Sequence, residues 1–281
     1  TIHEARLRGL DGATLKFVSI TLDASSRLGP INSVTLDGHS ATGIAAAVTL
    51  SSLSQVVVDG NETLTLKGKL VNHGTLAIGG DGVFGFVGTV RDTGKVVLSG
   101  GGQVLLAEHS NPQGAIATQL ITGGTLENVD NTISGYGLLG GGTLSLANDA
   151  AGTIDATAAT LLVDTGAAAV TNAGLMEATG ATLELRGIID SRTGGVLVAS
   201  TMFGTGGTLL LDGGTLKAGI VTTDANSALR VTTAGTLDGR NGAVTLNAGS
   251  RAIVDGNESL KLLGPLTNHG TLAIGGDGVY G

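Results

Sequence analysis

The sequence predicts an all-β fold, a β-solenoid in which parallel strands stack in coils of about 20 residues. The chain of 281 residues contains 49 glycines, while aromatic residues make up only 2%. A core built from such a chain has to be aliphatic. Short runs of alternating apolar and polar residues recur and end in Gly, Asn or Asp, which is typical of strands bounded by turns. Every second run follows its predecessor by about 20 residues, as in the series Thr143, Thr160 and Thr182, whose spacings are 17 and 22 residues.

The predicted strands are four to six residues long, and turn residues separate them. In chain order, examples begin at Thr63, Thr75, Lys95, Gln103, Thr143, Thr153, Thr160, Leu175, Thr182, Val196 and Thr208. The dipeptide Asp-Gly occurs eight times between such runs. Its glycine supplies the positive φ that a tight corner needs, so we assign these pairs to corners.

One phrase of the sequence is written twice. Residues 72–83 recur letter for letter as residues 268–279, at an offset of 196 positions. Further upstream, Gly9–Ser26 resembles Leu210–Ser227 at an offset of 201. The match therefore continues upstream after a shift of five residues.

The duplication suggests a division of the chain. We interpret residues 1–85 as the first copy of a long-period module and 86–201 as intervening coils. Residues 202–281 form a second, incomplete copy, and one continuous solenoid is expected over 1–281. A piece of a longer tandem array is expected to have this organisation.

Comparison of the two copies predicts which side chains face inward. Alternate leucines are unchanged, whereas Thr65 becomes Lys261 and Lys67 becomes Leu263. A strand with one buried face requires this pattern. The unchanged leucines are Leu64, Leu66 and Leu70 in the first copy and Leu260, Leu262 and Leu266 in the second.

Asn and Gly recur just before several strands in the phrase Asn-x-Gly. Asparagine side chains hydrogen-bond to the nearby backbone in turns, and asparagines in register on successive coils can form a ladder. The sequence therefore predicts structural turns at Asn72, Gly74, Asn172, Gly174, Asn268 and Gly270.

Residues Gly123–Leu185 resemble the long repeat arrays of very large bacterial exported proteins, the filamentous-haemagglutinin-like and autotransporter-passenger-like adhesins. The phrase Asn-x-Gly-x-Leu/Ile-x-Ala, as in Asn172 to Ala178, carries the resemblance. The resemblance implies a right-handed parallel β-helix, an extracellular or cell-surface location, and a role as stalk, adhesin or filament building block. The partners expected are further repeats of the same chain or other copies stacked end to end, and a surface glycan or host receptor.

The charge of the chain argues against other partners. A formal net charge of −8 with 14% charged residues leaves no basic stripe for nucleic acid. No apolar run reaches the roughly 18 residues of a membrane-spanning helix, so membrane insertion is not predicted. The absence of cysteine excludes disulfides and thiolate metal sites.

Two motifs with known enzyme counterparts are better explained as turns, and we predict no enzyme. No helical pattern follows the Gly-x-Gly-x-x-Gly sequence of Gly80–Gly85, as a dinucleotide site would require. The Asp-Thr-Gly sequences at Asp92 and Asp164 lie too close together for a two-lobed aspartic protease. The alternative function is a carbohydrate-binding or carbohydrate-active β-helix, although few aromatic residues exist to stack on sugars.

No cofactor is predicted, and weakly bound calcium is the one metal hypothesis. Carboxylate oxygens in Asp-Gly turns can act as Ca²⁺ ligands. The candidates are Asp59, Asp81, Asp255 and Asp277.

Overall fold

A computed structural model describes residues 6–7, 11–16, 19–20, 27–29, 32–39, 47–79, 88–106 and 120–275. In these residues the chain is all-β, with parallel strands stacked as a β-solenoid and no helix. The predicted fold class is confirmed. The chain divides into two units, 1–145 and 146–281, and each is described by itself below. One continuous solenoid over 1–281 stays a prediction.

The first unit consists of short strands. They are β1 (Arg6–Leu7), β2 (Ala13–Lys16), β3 (Ser19–Ile20), β4 (Arg27–Leu28), β5 (Ser33–Gly38), β6 (Val48–Leu50), β7 (Gln55–Val58), β8 (Thr63–Asn72), β9 (Thr75–Ile78), β10 (Thr89–Ser99), β11 (Gln103–Leu106), β12 (Leu120–Asn128) and β13 (Thr132–Gly140). β14 (Ser145–Asn148) begins at the last residue of this unit.

These strands pair in three parallel ladders, one for each side of a coil. The first ladder joins β1, β4, β7, β9, β11 and the start of β13. The second joins β2, β5, the start of β8, β10, β12 and the end of β13. The third joins β3, β6 and the later parts of β8, β10 and β12. Each coil therefore contributes one stretch of strand to each ladder, and the long strands β8, β10 and β12 each contribute to two ladders.

The second unit has the same construction. Its further strands are β15 (Thr153–Asn172), β16 (Leu175–Thr179), β17 (Thr182–Asp190), β18 (Val196–Ser200), β19 (Thr208–Leu211), β20 (Thr215–Lys217), β21 (Gly219–Thr223), β22 (Ala228–Val231), β23 (Ala234–Asp238), β24 (Val244–Leu246), β25 (Arg251–Val254), β26 (Ser259–Leu263), β27 (Leu266–Asn268) and β28 (Thr271–Ile274).

Three parallel ladders again hold these strands. One runs through the ends of β14, β15 and β17 to β20, β23 and β26. Another joins the start of β15 to β16, β18, β21, β24 and β27. The last joins the middle of β15 to the start of β17, β19, β22, β25 and β28.

The spacing of the coils differs from the prediction. Successive coils lie about 23 residues apart, rather than about 20. In the second unit Ile154 pairs with Met176, 22 residues further on, but in the first unit Leu76 pairs with Val104, 28 residues further on. The predicted value was taken from runs between 143 and 182, where the coils are short. Part of the extra length in the first unit lies within a strand, because β10 has two more residues than β8 between the pairs Asp92–Leu66 and Val96–Gly68.

The core is a column of aliphatic side chains from alternate strand positions. Leu64, Leu66 and Leu70 are buried as predicted, while Thr65 and Lys67 are only partly covered. In the second copy the matching leucines are not buried, and Leu262 is 47% exposed. They belong to the last described coil, and the described residues include no strand on its far side.

The length difference between the copies is confined to one corner. Asp37 matches Asp238 at an offset of 201, and Val48 matches Val244 at an offset of 196. The strands on both sides of this corner keep their pairing. Asp37 pairs with Lys67 and Val48 with Leu70 in the first copy, as Asp238 pairs with Leu263 and Val244 with Leu266 in the second.

Candidate functional site

The repeated corners Asn72–Gly74 and Asn268–Gly270 have the same hydrogen bonds. In each, the Asn side-chain oxygen accepts a hydrogen bond from the Gly amide, at 3.1 Å in the first and 3.0 Å in the second. In each, the His amide donates to a carbonyl of the preceding coil, Leu50 or Leu246, at 2.9 Å. The duplicated sequence therefore folds into a duplicated local structure.

Close backbone approach requires glycine at the third position of these corners. A Cβ on Gly74 would lie 2.2 Å from the carbonyl oxygen of Ser54. A Cβ on Gly270 would lie 2.3 Å from a carbonyl oxygen of the preceding coil, and one on Gly174 would lie 2.3 Å from that of Asp149. Any larger residue would push successive coils apart.

Buried asparagines stack on successive coils of the second unit. Asn148 Nδ2 donates to Asn172 Oδ1 at 3.0 Å, and Asn172 Nδ2 donates to Ser191 Oγ at 3.3 Å. All three residues are buried, so their hydrogen bonds satisfy groups that water cannot reach. These bonds form a short ladder across successive coils, which ends at a serine.

In the first unit an asparagine bond spans a whole coil. Asn72 Nδ2 donates to Asn131 Oδ1 at 3.0 Å, although 59 residues separate them. Gly102 lies on the coil between, and a Cβ there would come within 2.7 Å of Asn72 Nδ2. The missing side chain of Gly102 leaves the space through which the two amides meet.

A second kind of corner was missed in the sequence analysis. Asp238 accepts two hydrogen bonds from Arg240, from Nε at 2.9 Å and from Nη2 at 2.8 Å. Asp190 accepts the same pair from Arg192. These side-chain hydrogen bonds from arginine lower the pKa of Asp190 and bring the pKa of Asp238 to about 2.

Asp37 and His39 form the counterpart in the first copy. The Asp37 carboxylate accepts a hydrogen bond from the His39 amide at 3.0 Å, which is the largest cause of the lowered pKa of Asp37. Lys16 adds an ion pair at 3.3 Å. A basic residue two positions after an aspartate is the signal that could have identified these corners. The signal is obscured where glycine lies between the two residues, because the sequence then also matches an Asp-Gly turn.

The two Asp-Thr-Gly sequences lie in strands, where a positive φ at the glycine bends the chain. Asp164 Oδ1 accepts a hydrogen bond from Gly166 N at 2.9 Å. Asp92 points inward, is 2% exposed, and neither carboxylate oxygen has a hydrogen-bond partner among the described residues. Burial raises the pKa of Asp92 to about 8.

Another pair of carboxyl groups lies on adjacent coils. Asp155 and Glu177 are register partners in neighbouring strands. Burial raises the pKa of both, and the charge of Asp155 raises the pKa of Glu177 further. The pair is partly covered and has no third acidic or histidine ligand among the residues that the structure describes.

Two of the calcium candidates lie within the described ranges. Asp59 and Asp255 begin matching corners, and the Asp255 carboxylate forms an ion pair with Arg230 at 2.6 Å. The Asp59 amide donates to Glu62 Oε2 at 2.8 Å. Asp81 and Asp277 lie outside the described residues, as does the Gly80–Gly85 motif. Calcium binding stays a prediction.

Two of the six aromatic residues have described side chains, and they differ sharply. Tyr136 is buried, whereas Phe203 is 96% exposed at the tip of a tight turn. Mutual backbone hydrogen bonds of 2.9 Å between Met202 and Thr205 close this turn, and Phe203 has a φ of 50°.

Within the described ranges no helix is long and apolar enough to cross a membrane.

Comparisons with protein-family models, with curated proteins and with solved structures found no match to this chain.

Proposed function

We propose that the chain is a structural repeat segment of a large secreted or cell-surface bacterial protein, in which it acts as stalk, adhesin or filament building block. One observation carries this proposal. The two near-verbatim copies form the same corner with the same backbone and side-chain hydrogen bonds. A repeated module whose repeated residues make coil-to-coil contacts is suited to building length.

The mechanism is mechanical. Parallel ladders, buried asparagine bonds and close-packed glycine corners fix each coil on its neighbour. Because strand pairing joins only adjacent coils, added repeats extend the solenoid without altering the ladders of the rest. Such a segment keeps the parts of the protein at its two ends at a fixed distance from each other.

The bacterial surface location is the part of the proposal that the sequence resemblance supports. It is tested on cells that make the full protein, with an antibody raised against residues 120–275. We expect the antibody to label intact cells or the culture medium, and external protease to remove the label from the cells. Label found only after lysis would contradict the proposal, and a cytosolic marker serves as the control for intact cells.

A carbohydrate-binding role is the second candidate, and exposed Phe203 is the observation that favours it. An exposed aromatic ring offers a face on which a sugar ring can stack. Two hydrogen bonds from Thr201, one backbone and one side-chain, to Asp224 fix the start of this turn. Binding on a glycan array that Phe203→Asn abolishes would support this role. Release of reducing ends from a polysaccharide would instead indicate an enzyme.

A further inference from the structure

The corner between β23 and β24 contains Asn241 and Gly242, which form the one Asn-Gly dipeptide of the chain. Both residues are exposed, and Gly242 has a φ of 139°. The Asn241 side chain has no hydrogen-bond partner among the residues that the structure describes. The Gly242 amide donates to the Gly239 carbonyl at 3.4 Å, which is longer than the upper limit of roughly 3.2 Å for an ordinary N–H···O bond. Side chain and amide are therefore both available for reaction.

An asparagine that precedes a glycine can react with its own backbone. The glycine nitrogen gives up its proton to hydroxide and attacks the side-chain carbon Cγ. A new C–N bond closes a five-membered imide, the bond from Cγ to Nδ2 breaks, and Nδ2 leaves as ammonia. Water then adds to either carbonyl of the imide and opens it to aspartate or isoaspartate. Glycine favours the attack because it has no Cβ beside its nitrogen and can adopt backbone angles closed to other residues.

We propose that Asn241 is a self-modification site, at which the folded protein converts asparagine to aspartate and isoaspartate. Water is the co-reactant, and ammonia is the product that leaves. The inference goes beyond the proposed function and does not depend on where in the cell the protein is located.

The other asparagines differ from Asn241 in burial or in the residue that follows. Asn148 and Asn172 are buried, and their side chains are held by hydrogen bonds across coils. Asn257 is the closest match, because it is exposed at a corner. Its neighbour is Glu258, however, whose amide donates to a backbone carbonyl at 3.2 Å. Asn257 therefore serves as the matched control within the same chain.

The corner tolerates the change in backbone length that isoaspartate brings. In isoaspartate the backbone runs through Cβ and Cγ, which adds one atom to the connection. The same corner is five residues longer in the first copy, yet Val48 pairs with Leu70 there as Val244 pairs with Leu266 in the second copy. The ladders do not fix the length of this connection, so we expect them to stay in register after the modification.

The new carboxylate also enters a corner in which basic residues outnumber acidic ones. Lys217 lies between Asp190 and Asp238 in the strand register. Asp190 is bound by Arg192, and Asp238 is bound by Arg240. Three cations thus accompany two carboxylates, and a further negative charge beside Arg240 meets no net repulsion from this group.

The test follows deamidation of the full chain, kept folded in one sample and unfolded in urea in another, at the same mildly alkaline pH. Peptide mapping by mass spectrometry measures conversion at each asparagine, and enzymatic methylation detects isoaspartate. Because the corner is exposed, reaction does not have to wait for unfolding. We expect Asn241 to convert in the folded chain at a rate within about tenfold of its rate in urea, and Asn257 to convert more slowly than Asn241.

Two controls make the result decisive. Asn241→Gln should remove the fast release of ammonia, because its longer side chain would have to close a six-membered ring. Hydrogen exchange at the amides of Val244–Leu246 should be the same in the converted and unconverted proteins after their separation by charge. Conversion of Asn241 in urea but not in the folded chain would overturn the proposal. Loss of protection at Val244–Leu246 on conversion would overturn the inference that the ladders tolerate the change.

Discussion

Replacing Asp92 by asparagine is expected to stabilise the protein at neutral pH, although Asp92 lies in the core. Its carboxylate is buried without a hydrogen-bond partner among the described residues, and burial alone raises its pKa from 3.8 to about 8. The unfolded chain loses this proton near pH 3.8, whereas the folded chain retains it until about pH 8. Stability therefore falls as the pH rises through this window.

The size of the effect follows from the two pKa values. Each pH unit within the window lowers the free energy of unfolding by about 1.36 kcal/mol, so the loss between pH 3.8 and pH 7 is about 4 kcal/mol. Asp92→Asn removes the titrating group and with it this loss. Above about pH 8 both states are ionised, and the difference between the two proteins becomes constant.

Urea unfolding of the two proteins at several pH values between 5 and 9 measures this difference. We expect the advantage of Asp92→Asn to grow by about 3 kcal/mol between pH 5 and pH 7. Asp164→Asn, in the other Asp-Thr-Gly sequence, controls for the exchange of carboxylate for amide. An advantage of Asp92→Asn that stays the same across this pH range would refute the reasoning.

Three further substitutions test other features. Gly174→Ala should lower the free energy of unfolding by about 3 kcal/mol, because its Cβ would lie 2.3 Å from the carbonyl oxygen of Asp149; an unchanged urea midpoint would contradict this. Phe203→Asn should raise the free energy of unfolding by about 0.5–1 kcal/mol, because Asn tolerates the positive φ better; calorimetry that shows a loss would count against strain. Asp238→Asn should lower the thermal midpoint at pH 7, because it breaks the paired hydrogen bonds from Arg240. The difference in thermal midpoint from the wild type should shrink as the pH falls through about 2, where the wild-type carboxyl is protonated. A difference that does not depend on pH would exclude the charge of Asp238 as its cause.

The sequence pattern was enough to predict the β-solenoid and its inward side chains in the first copy. Leu64, Leu66 and Leu70 are unchanged between the copies because they pack on adjacent coils. Alternate residues of a strand face inward, so this packing appears in the sequence as an alternation of apolar and polar residues. The pattern underestimated the coil spacing because a bulge within a strand, such as that between Asp92 and Val96 of β10, interrupts the alternation.

Other features could not be predicted because they depend on which side chains stack across coils. The bond between Asn72 and Asn131 joins residues two coils apart and needs the gap at Gly102. Asp92 lies in a motif that usually marks a turn, and its burial follows only from its register against Leu66 and Gly123. Asp238 and Arg240 are two positions apart in the sequence, but the geometry of their pairing depends on the corner.

At the corner that is five residues shorter in the second copy, the length of the connection changes while the strand pairing on both sides stays the same. Asp37 and Asp238 keep equivalent pairings on one side of it, and Val48 and Val244 keep them on the other. Insertions and deletions at such a position leave the ladders in register, so selection can alter what projects there without disturbing the scaffold. A solenoid of this kind can acquire new surface loops one corner at a time while its interior stays the same.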